Sequence, residues 1–394
     1  MPSREELNGL ALRAVRSNLT SNFEVIAAPN GPGNPHKEYL HIWPRDSLLV
    51  AIELSNHDQK TAEKIVKSVL NLPTSNGLFF QRYDLNGKPD ENAWCNGDGN
   101  RQLDQDALRF VALSLFPSLK MDKNTIFKSY NSLLDQIVAK NTVTDVWEQK
   151  RGYFFYSTAA LIWGLKSAEK IIPGSSKIHR EILTELVESI ETFYDNERES
   201  FVKSPSDKTM DLEVLLAIMI LSQCQIEELK SSKHLKRILS TLRNLVSELC
   251  VTVNGKKIPM RYRQDFWNGE IVGTEGIGRP WPMGVAFISQ VYSFAANLAL
   301  ELGEFEMAEY SHKMSNSWAD QLTGIPHIHQ FPEQIDKDGT LPESAPRPLT
   351  WCATEILKSY RLNEATGKKI RENSNLAMLS SLYRPKLLIN SSIN

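Results

Sequence analysis

The chain has 394 residues, of which 41% are hydrophobic and 23% charged, an ordinary composition for a globular protein with enough apolar side chains for a large core. Its 45 Lys and Arg residues are interspersed with 47 Asp and Glu residues, which gives a net charge of −2. No basic block favours a nucleic-acid partner, and no acidic tail is present.

Apolar residues recur at helical intervals along most of the chain. In residues 123–140 they fall on one helical face, and Asp122 is suited to cap that helix. This periodicity predicts about twelve helices, near residues 3–19, 44–55, 58–72, 103–116, 122–140, 154–171, 176–195, 209–223, 232–250, 281–302, 304–321 and 348–366.

Strand signals are few, at residues 23–27, 78–83 and 256–260, and they do not alternate with helices as in βαβ units. Five connections are long and rich in Gly, Trp and Asn: residues 20–43, 84–102, 141–153, 251–280 and 322–347. Long loops in a compact domain are usually functional. Their recurrence between helix pairs predicts a ring of helices with a site at one end.

The four cysteines are scattered without a C-x-x-C pair, which favours neither a zinc site nor a disulfide framework. The first residues are charged and amphipathic and lack the apolar core of a signal peptide, and the longest apolar run, residues 214–221, is too short to span a bilayer. We therefore expect a soluble, reduced, cytoplasmic protein that binds neither a membrane nor nucleic acid, with its oligomeric state left open.

The five long loops share one feature, because each brings aromatic residues together with an acid or a guanidinium. Six of the eight tryptophans lie in these loops or at their helix junctions. The loop residues of interest are Tyr39, Trp43, Arg45, Asp46, Trp94, Trp147, Glu148, Arg261, Asp265, Trp267, Trp281, Glu333 and Trp351. An indole covers the C–H face of a sugar ring, and carboxylates and guanidinium groups bond its hydroxyls. The loops therefore predict a saccharide site.

Two of the acids suit the cleavage of a glycosidic bond. Such cleavage needs one carboxyl group that stays protonated and one that is ionised to activate water. Glu148 follows Trp147, and burial against an apolar indole would keep its proton in place. Glu333 lies in a polar loop beside Gln334, which suits the ionised partner.

Purely structural interpretations of these motifs stay open. Trp147 could be a core aromatic beside a solvated glutamate. The W-P-R-D motif could be a helix start with Pro44 at the first position and Arg45–Asp46 as an ion pair. The pair His327 and His329 lacks a third metal ligand at helical spacing, so we expect no metal.

The motifs taken together resemble a known family. "WPRDS", "DVWEQ", "MRYRQD…GRPWP" and "PEQIDKDG…PLTW", in this order, are similar to the successive site loops of the glucoamylase-type inverting glycosidases, glycoside hydrolase family 15. The resemblance runs from about Tyr39 to about Tyr360. It implies an all-α fold, an (α/α)6 barrel of six inner and six outer helices with long active-site loops at one end, as a single catalytic domain over residues 1–394. It implies no cofactor.

The resemblance also implies roles for individual residues. Glu148 matches the general acid, and Glu333 matches the general base that holds the water. Arg45 and Asp46 match the pair that grips the terminal glucose. The further substrate-binding positions that it implies are Tyr39, Trp43, Trp94, Trp147, Gln149, Arg261 and Trp351.

The sequence departs from the family pattern after the acid, where fungal members carry a second Glu and this chain has Gln149. That position serves the +1 sugar in the family, so the leaving-group preference is open. The chain begins almost directly at the first predicted helix, so we expect no preceding β-sandwich domain and no starch-binding module, which favours short soluble oligosaccharides.

These observations predict an exo-acting inverting α-glucosidase that releases β-D-glucose from short oligosaccharides. A trehalase, or an α-1,6-glucosidase or glucodextranase, on the same fold is the nearest alternative, because only the +1 loops would differ. A non-catalytic sugar-sensing or regulatory protein of this fold is an alternative of a different class.

Overall fold

The computed structural model describes residues 2–29, 37–90, 101–140, 142–172, 177–265, 267 and 278–382, with only the backbone of residues 37–38 and 374–382. Twelve helices lie in these ranges: α1 Arg4–Ser17, α2 Pro44–Leu54, α3 Gln59–Leu70, α4 Leu103–Leu115, α5 Lys123–Val138, α6 Phe155–Ile171, α7 Lys177–Ser189, α8 Glu213–Leu221, α9 Ser232–Leu249, α10 Pro282–Glu301, α11 Phe305–Leu322 and α12 Thr350–Leu382. The strands are β1 Thr74–Ser75, β2 Leu78–Phe79, β3 Val143–Thr144, β4 Arg151–Gly152, β5 Tyr194–Asp195, β6 Ser200–Phe201, β7 Cys250–Val253 and β8 Lys256–Pro259.

The even-numbered helices form a closed inner ring. Helix α2 packs on α4, α4 on α6, α6 on α8, α8 on α10, α10 on α12, and α12 returns to α2. The odd-numbered helices lie outside this ring, each against at least one inner helix, as α3 does on α2 and α7 on α6. The fold is therefore the (α/α)6 barrel that the sequence predicted.

The hydrophobic pattern of each helix decides its layer. All nine residues of α8 are buried, because its sequence is apolar on every side. Helix α9 alternates apolar and charged residues, so only one stripe of it is buried. A helix that is apolar all round must lie inside, and a striped helix covers the surface of the core. The buried apolar side chains of the described residues form one contiguous core.

The apolar composition of helix α10 is explained by its position in the fold. By length and apolar content it could cross a membrane, yet 83% of its most apolar stretch is buried within the protein. Its neighbours α8, α9, α11 and α12 cover it. Packing in the core therefore accounts for its apolar sequence.

The predicted helices agree with the observed ones to within two residues except at three ends, of which one is the start of α8, at Glu213 instead of residue 209. The helix predicted to end at residue 366 continues as α12 to Leu382. A Cβ atom added at Gly367 would lie 2.9 Å from His312 Nε2 of α11, so this glycine permits close helix packing instead of ending the helix.

The third difference follows α7. This helix ends at Ser189, and a 3₁₀ turn over Ile190–Phe193 leads into β5, where the sequence predicted helix to residue 195. The Phe193 ring stacks on Phe155 of α6 at 5.1 Å between ring centroids. Aromatic packing on the inner layer therefore ends the helix early.

Short antiparallel hairpins precede four of the inner helices, namely β1–β2, β3–β4, β5–β6 and β7–β8 before α4, α6, α8 and α10. The strands predicted at residues 78–83 and 256–260 are confirmed in part, as β2 and β8. The strand predicted at residues 23–27 is wrong, because Phe23 has a left-handed backbone (φ 64°) and only an isolated bridge joins Leu19 to Val25.

Candidate active site

A cavity of about 910 Å³ lies where the loops that lead into the inner helices meet. Ten of the residues to which the sequence assigned a catalytic or substrate-binding role line it: Tyr39, Trp43, Arg45, Asp46, Trp147, Glu148, Gln149, Arg261, Glu333 and Trp351. Trp94 lies outside the described residues. The fold thus gathers side chains from four of the five predicted loops into one site.

The start of α2 supplies the first charged pair. Trp43 precedes the helix in extended conformation and Pro44 occupies its first turn, where the missing N–H of proline costs nothing. Arg45 is 4% exposed, and its Nε donates to Asp46 Oδ1 at 3.0 Å. The Arg45 guanidinium also lies over the Trp351 ring, 5.6 Å from its centroid. A buried, paired guanidinium of this kind presents a fixed polar surface to the cavity.

Glu148 occupies a tight turn in which its own backbone is left-handed (φ 62°). Its carboxylate Oε1 accepts a hydrogen bond of 3.1 Å from Trp43 Nε1 and lies 3.6 Å from Arg45 Nη2. Burial raises the pKa of Glu148 above its ordinary value, and the nearby Arg45 acts against that rise. The group therefore holds its proton to higher pH than an exposed glutamate does.

The indole that bonds Glu148 is not its sequence neighbour. We expected Trp147 to provide the apolar wall, but the Trp147 Nε1 donates to Asp211 Oδ1 at 2.7 Å. The left-handed turn at Glu148 separates the directions of the two adjacent side chains. Trp43, 105 residues away, occupies the position next to the carboxylate.

Glu333 is held by two neutral donors. The Tyr39 hydroxyl donates to its Oε1 at 2.7 Å, and Trp267 Nε1 donates to its Oε2 at 2.8 Å. Glu333 is only 6% exposed, so this residue from a polar stretch of sequence is buried in the folded protein. Burial raises its pKa to about 7, although both hydrogen bonds favour the ionised form. Near neutral pH this carboxyl group is present in both protonation states.

Aromatic rings line the same cavity as the two carboxyl groups. The Trp147 ring lies 5.5 Å from Trp281 and 6.2 Å from Trp351, measured between ring centroids. The Arg261 guanidinium lies 5.1 Å from the centroids of both Trp147 and Trp281, and both of its nitrogens Nε and Nη2 donate to Asp265. The cavity thus has apolar ring faces beside paired charges, which is the combination that a sugar ring requires.

Gln149 lies at the exposed mouth of the cavity. Its Oε1 accepts a hydrogen bond of 2.7 Å from the Tyr262 hydroxyl, and both residues line the cavity. Gln149 is thus exposed, one residue beyond the half-buried Glu148.

Sequence reasoning missed part of the site. Trp267 and Trp281 were noticed as loop residues without a role, and Tyr262 was passed over although it follows Arg261 directly. The connection of residues 194–212, which carries Asp211, was not recognised, because it contains no tryptophan. Its position before an inner helix, like that of the other five loops, was the signal that could have revealed it.

Comparison with known proteins agrees with this geometry. The sequence model of the family "Glycosyl hydrolases family 15" matches residues 24–361. The chain belongs to this family. An uncharacterized glycosyl hydrolase of Methanocaldococcus jannaschii is 26% identical in an alignment of 357 positions that covers 84% of this chain and 52% of that protein. The chain therefore spans about half the length of this curated relative.

Solved family 15 structures share the fold. The glucoamylase of Saccharomycopsis fibuligera is 15% identical with a TM-score of 0.69, over 92% of this chain and 95% of that one. A bacterial glucoamylase in complex with acarbose is 18% identical with a TM-score of 0.70, over 92% of this chain and 56% of that one. The family 15 glucoamylase of Hypocrea jecorina is 15% identical with a TM-score of 0.70, over 92% and 73%.

Proposed function

We propose that this family 15 protein is an exo-acting α-glucosidase that inverts the anomeric centre and releases β-D-glucose from short oligosaccharides. One observation carries the proposal. Two carboxyl groups from separate loops, the half-buried Glu148 and the buried Glu333, line one cavity together with the Arg45–Asp46 pair and five tryptophans. The cavity volume of about 910 Å³ falls within the range of small-molecule pockets.

In the proposed reaction Glu148 acts as the acid and Glu333 as the base. Protonated Glu148 gives its proton to the glycosidic oxygen as the bond from that oxygen to C1 breaks. A water molecule attacks C1 from the opposite face, and ionised Glu333 takes one of its protons. One water is consumed, the leaving sugar departs with the proton of Glu148, and glucose is released with inverted configuration. The proton on Glu333 then passes to solvent and Glu148 is reprotonated.

The surroundings of the two carboxyl groups support this division. A general base works best when its pKa lies near the working pH, and burial raises the pKa of Glu333 to about 7. Its two partners, Tyr39 and Trp267, are neutral donors that stabilise the carboxylate once it forms. The raised pKa of Glu148 favours its protonated form, as an acid requires.

Sugar binding follows from the remaining lining groups. Asp46 and Arg45 offer an acceptor and donors to the hydroxyls of the terminal glucose. The rings of Trp147 and Trp351 offer apolar faces to its C–H groups. Gln149 and Tyr262, at the mouth, are placed to meet the leaving sugar. Linkage preference would then depend on these outer residues, since the inner residues meet the glucose common to all substrates.

A panel of maltose, maltotriose, isomaltose, nigerose and trehalose, with detection of glucose, tests the substrate class. Activity on trehalose alone would identify a trehalase, and activity on isomaltose alone would identify an α-1,6-glucosidase or glucodextranase. Absence of activity on every glucoside would leave a sugar-sensing protein of the same fold. Proton NMR of the first product tests the stereochemistry: β-glucose supports inversion, and α-glucose contradicts it.

A second experiment assigns the two carboxyl groups. Fluoride leaves C1 without protonation, so α-D-glucosyl fluoride needs the base and not the acid. Glu148→Gln should therefore lose about 10²–10⁴-fold in kcat on maltose while keeping most of its activity on the fluoride. Glu333→Gln should lose activity on both substrates. The reverse pattern would exchange the two roles.

A further inference from the structure

A buried ion cluster centred on one lysine includes a residue of the loop that carries Glu148. The Lys203 Nζ atom lies 2.7 Å from Asp145 Oδ2, 3.2 Å from Asp211 Oδ2 and 3.4 Å from Glu213 Oε2. All four side chains are at most 3% exposed. Lys203 belongs to the connection of residues 194–212, and Asp145 to the loop before α6. The cluster thus ties together two loops and the first turn of α8.

The two aspartates use their other oxygen atoms to hold the segment that carries Glu148. Asp145 Oδ1 accepts the backbone N–H groups of Gln149 at 2.7 Å and of Lys150 at 3.2 Å. Asp211 Oδ1 accepts Trp147 Nε1 at 2.7 Å. The residues on both sides of Glu148 are therefore anchored to carboxylates whose opposite oxygens face the Lys203 ammonium.

The turn needs such anchors because of its backbone. Glu148 has φ 62°, a conformation that costs energy for a residue with a side chain and persists only where the surroundings enforce it. Its N–H donates to the Asp145 carbonyl at 3.0 Å, and the Asp145 N–H donates to the Lys150 carbonyl at 2.9 Å. Asp145 thus closes the turn with both its backbone and its side chain. The orientation of the Asp145 side chain depends in turn on the Lys203 ammonium, which donates to its Oδ2 atom.

We propose that Lys203 is a positioning residue for Glu148. Lys203 fixes the left-handed turn at Glu148 through Asp145, and it fixes the Trp147 indole through Asp211. The inference rests on the proposed role of Glu148 as the general acid. Without the ammonium, carboxylates packed around one point would repel one another and rotate apart. The turn would then loosen, and the Glu148 carboxyl group would leave its place beside Trp43. Glu333 depends on Tyr39 and Trp267 instead.

The leaving group distinguishes loss of acid positioning from general damage. Lys203→Met should lower kcat on maltose by about 10²-fold, the size expected from displacing a catalytic group by about 1 Å. On α-D-glucosyl fluoride, which needs no acid, the loss should stay within about threefold. KM for maltose should change less than kcat, because Arg45 and Asp46, which grip the glucose, bond each other, and only the Trp147 ring of the glucose site is held by the cluster. Circular dichroism and thermal unfolding of each variant establish that it is folded.

Lys208 provides a matched control. It lies in the same connection and forms an ion pair of 2.8 Å with Asp195, but its side chain is 54% exposed. Lys208→Met should leave kcat on both substrates unchanged. Lys203→Arg keeps the charge in case Lys203→Met fails to fold, and it should lose activity on maltose selectively, by less than the Met variant does.

Equal losses on maltose and the fluoride in a folded Lys203 variant would overturn the positioning role, as would full activity of Lys203→Met on maltose. Wild-type protein that hydrolyses neither substrate would overturn the proposed function itself, and with it this inference. Wild-type activity with a selective loss in the Lys203 variants supports both.

Discussion

Replacement of Glu333 by Gln should stabilise the protein, and the gain should depend on pH. Burial raises the pKa of Glu333 from an ordinary 4.5 to about 7, so the folded state binds a proton that the unfolded state has already lost between these values. Stability from this group is therefore full below pH 4.5 and decreases as pH rises to about 7. Glutamine carries no charge, so the variant does not lose this stability as pH rises.

The magnitude follows from the shift. Each tenfold change in a proton-binding constant corresponds to 1.36 kcal/mol, so a pKa of about 7 in place of 4.5 makes the ionised group cost about 3 kcal/mol above pH 7. With 394 residues, an unfolding entropy of about 0.8 kcal/mol/K converts this into a rise of about 4 °C in Tm.

The hydrogen-bond pattern allows the substitution. Glutamine can turn its oxygen towards Trp267 Nε1, which only donates, and its amide towards the Tyr39 hydroxyl, which can accept as well as donate. Both contacts therefore survive, and at pH 4.5 the variant should match the wild type within about 0.5 kcal/mol.

The assay is thermal unfolding of wild type and Glu333→Gln at pH 4.5, 6 and 8, supported by denaturant midpoints. Glu343→Gln, an exposed position in the same loop, is the control and should change stability within about 0.5 kcal/mol at each pH. A gain of equal size at pH 4.5 and 8, or a loss at pH 8, would refute the reasoning.

Three further predictions concern the site and the barrel. Trp267→Phe removes a donor that favours ionised Glu333, so the acidic limb of the kcat/KM profile should move to higher pH; an unmoved limb would mean that another group sets it. Gln149→Glu should change the ratio of kcat/KM between maltose and isomaltose more than activity on either, and a uniform loss would place this residue at the inner glucose instead. Gly164→Ala puts a Cβ atom 2.7 Å from the α4 backbone, so unfolding should become easier by about 1–3 kcal/mol. Gly9→Ala, whose new Cβ meets nothing closer than 3.5 Å, should instead stabilise the protein by up to about 1 kcal/mol. Stability changes of the same sign in the two variants would contradict the packing argument.

Much of the site was predictable because its residues stand at sequence landmarks. Trp43, Arg45 and Asp46 surround the proline that starts α2, Trp351 lies in the first turn of α12, and Glu333 lies in the loop that leads to that helix. Helix starts are visible in local composition, and the loops before inner helices concentrate the polar and aromatic residues. The connection of residues 194–212 escaped notice because its lysine and aspartate gain their meaning only from partners on another loop.

The sequence by itself determined the twelve helices, the exposure pattern of each and the residue types gathered in the loops, since helical periodicity and capping depend on neighbours within a few positions. It did not determine which groups meet. Trp43 bonds Glu148 across 105 positions and Tyr39 bonds Glu333 across 294. The first contact joins the loops before α2 and α6, which both pack on α4, and the second joins the loops before α2 and α12, which meet where α12 closes the ring. Burial of Glu333, and with it a pKa of about 7, likewise arises from that closure. A glutamate in a polar stretch of sequence becomes a buried acid when distant loops fold over it. Its desolvation depends on all the protein atoms that surround it in space, and not on the residues adjacent to it in the sequence.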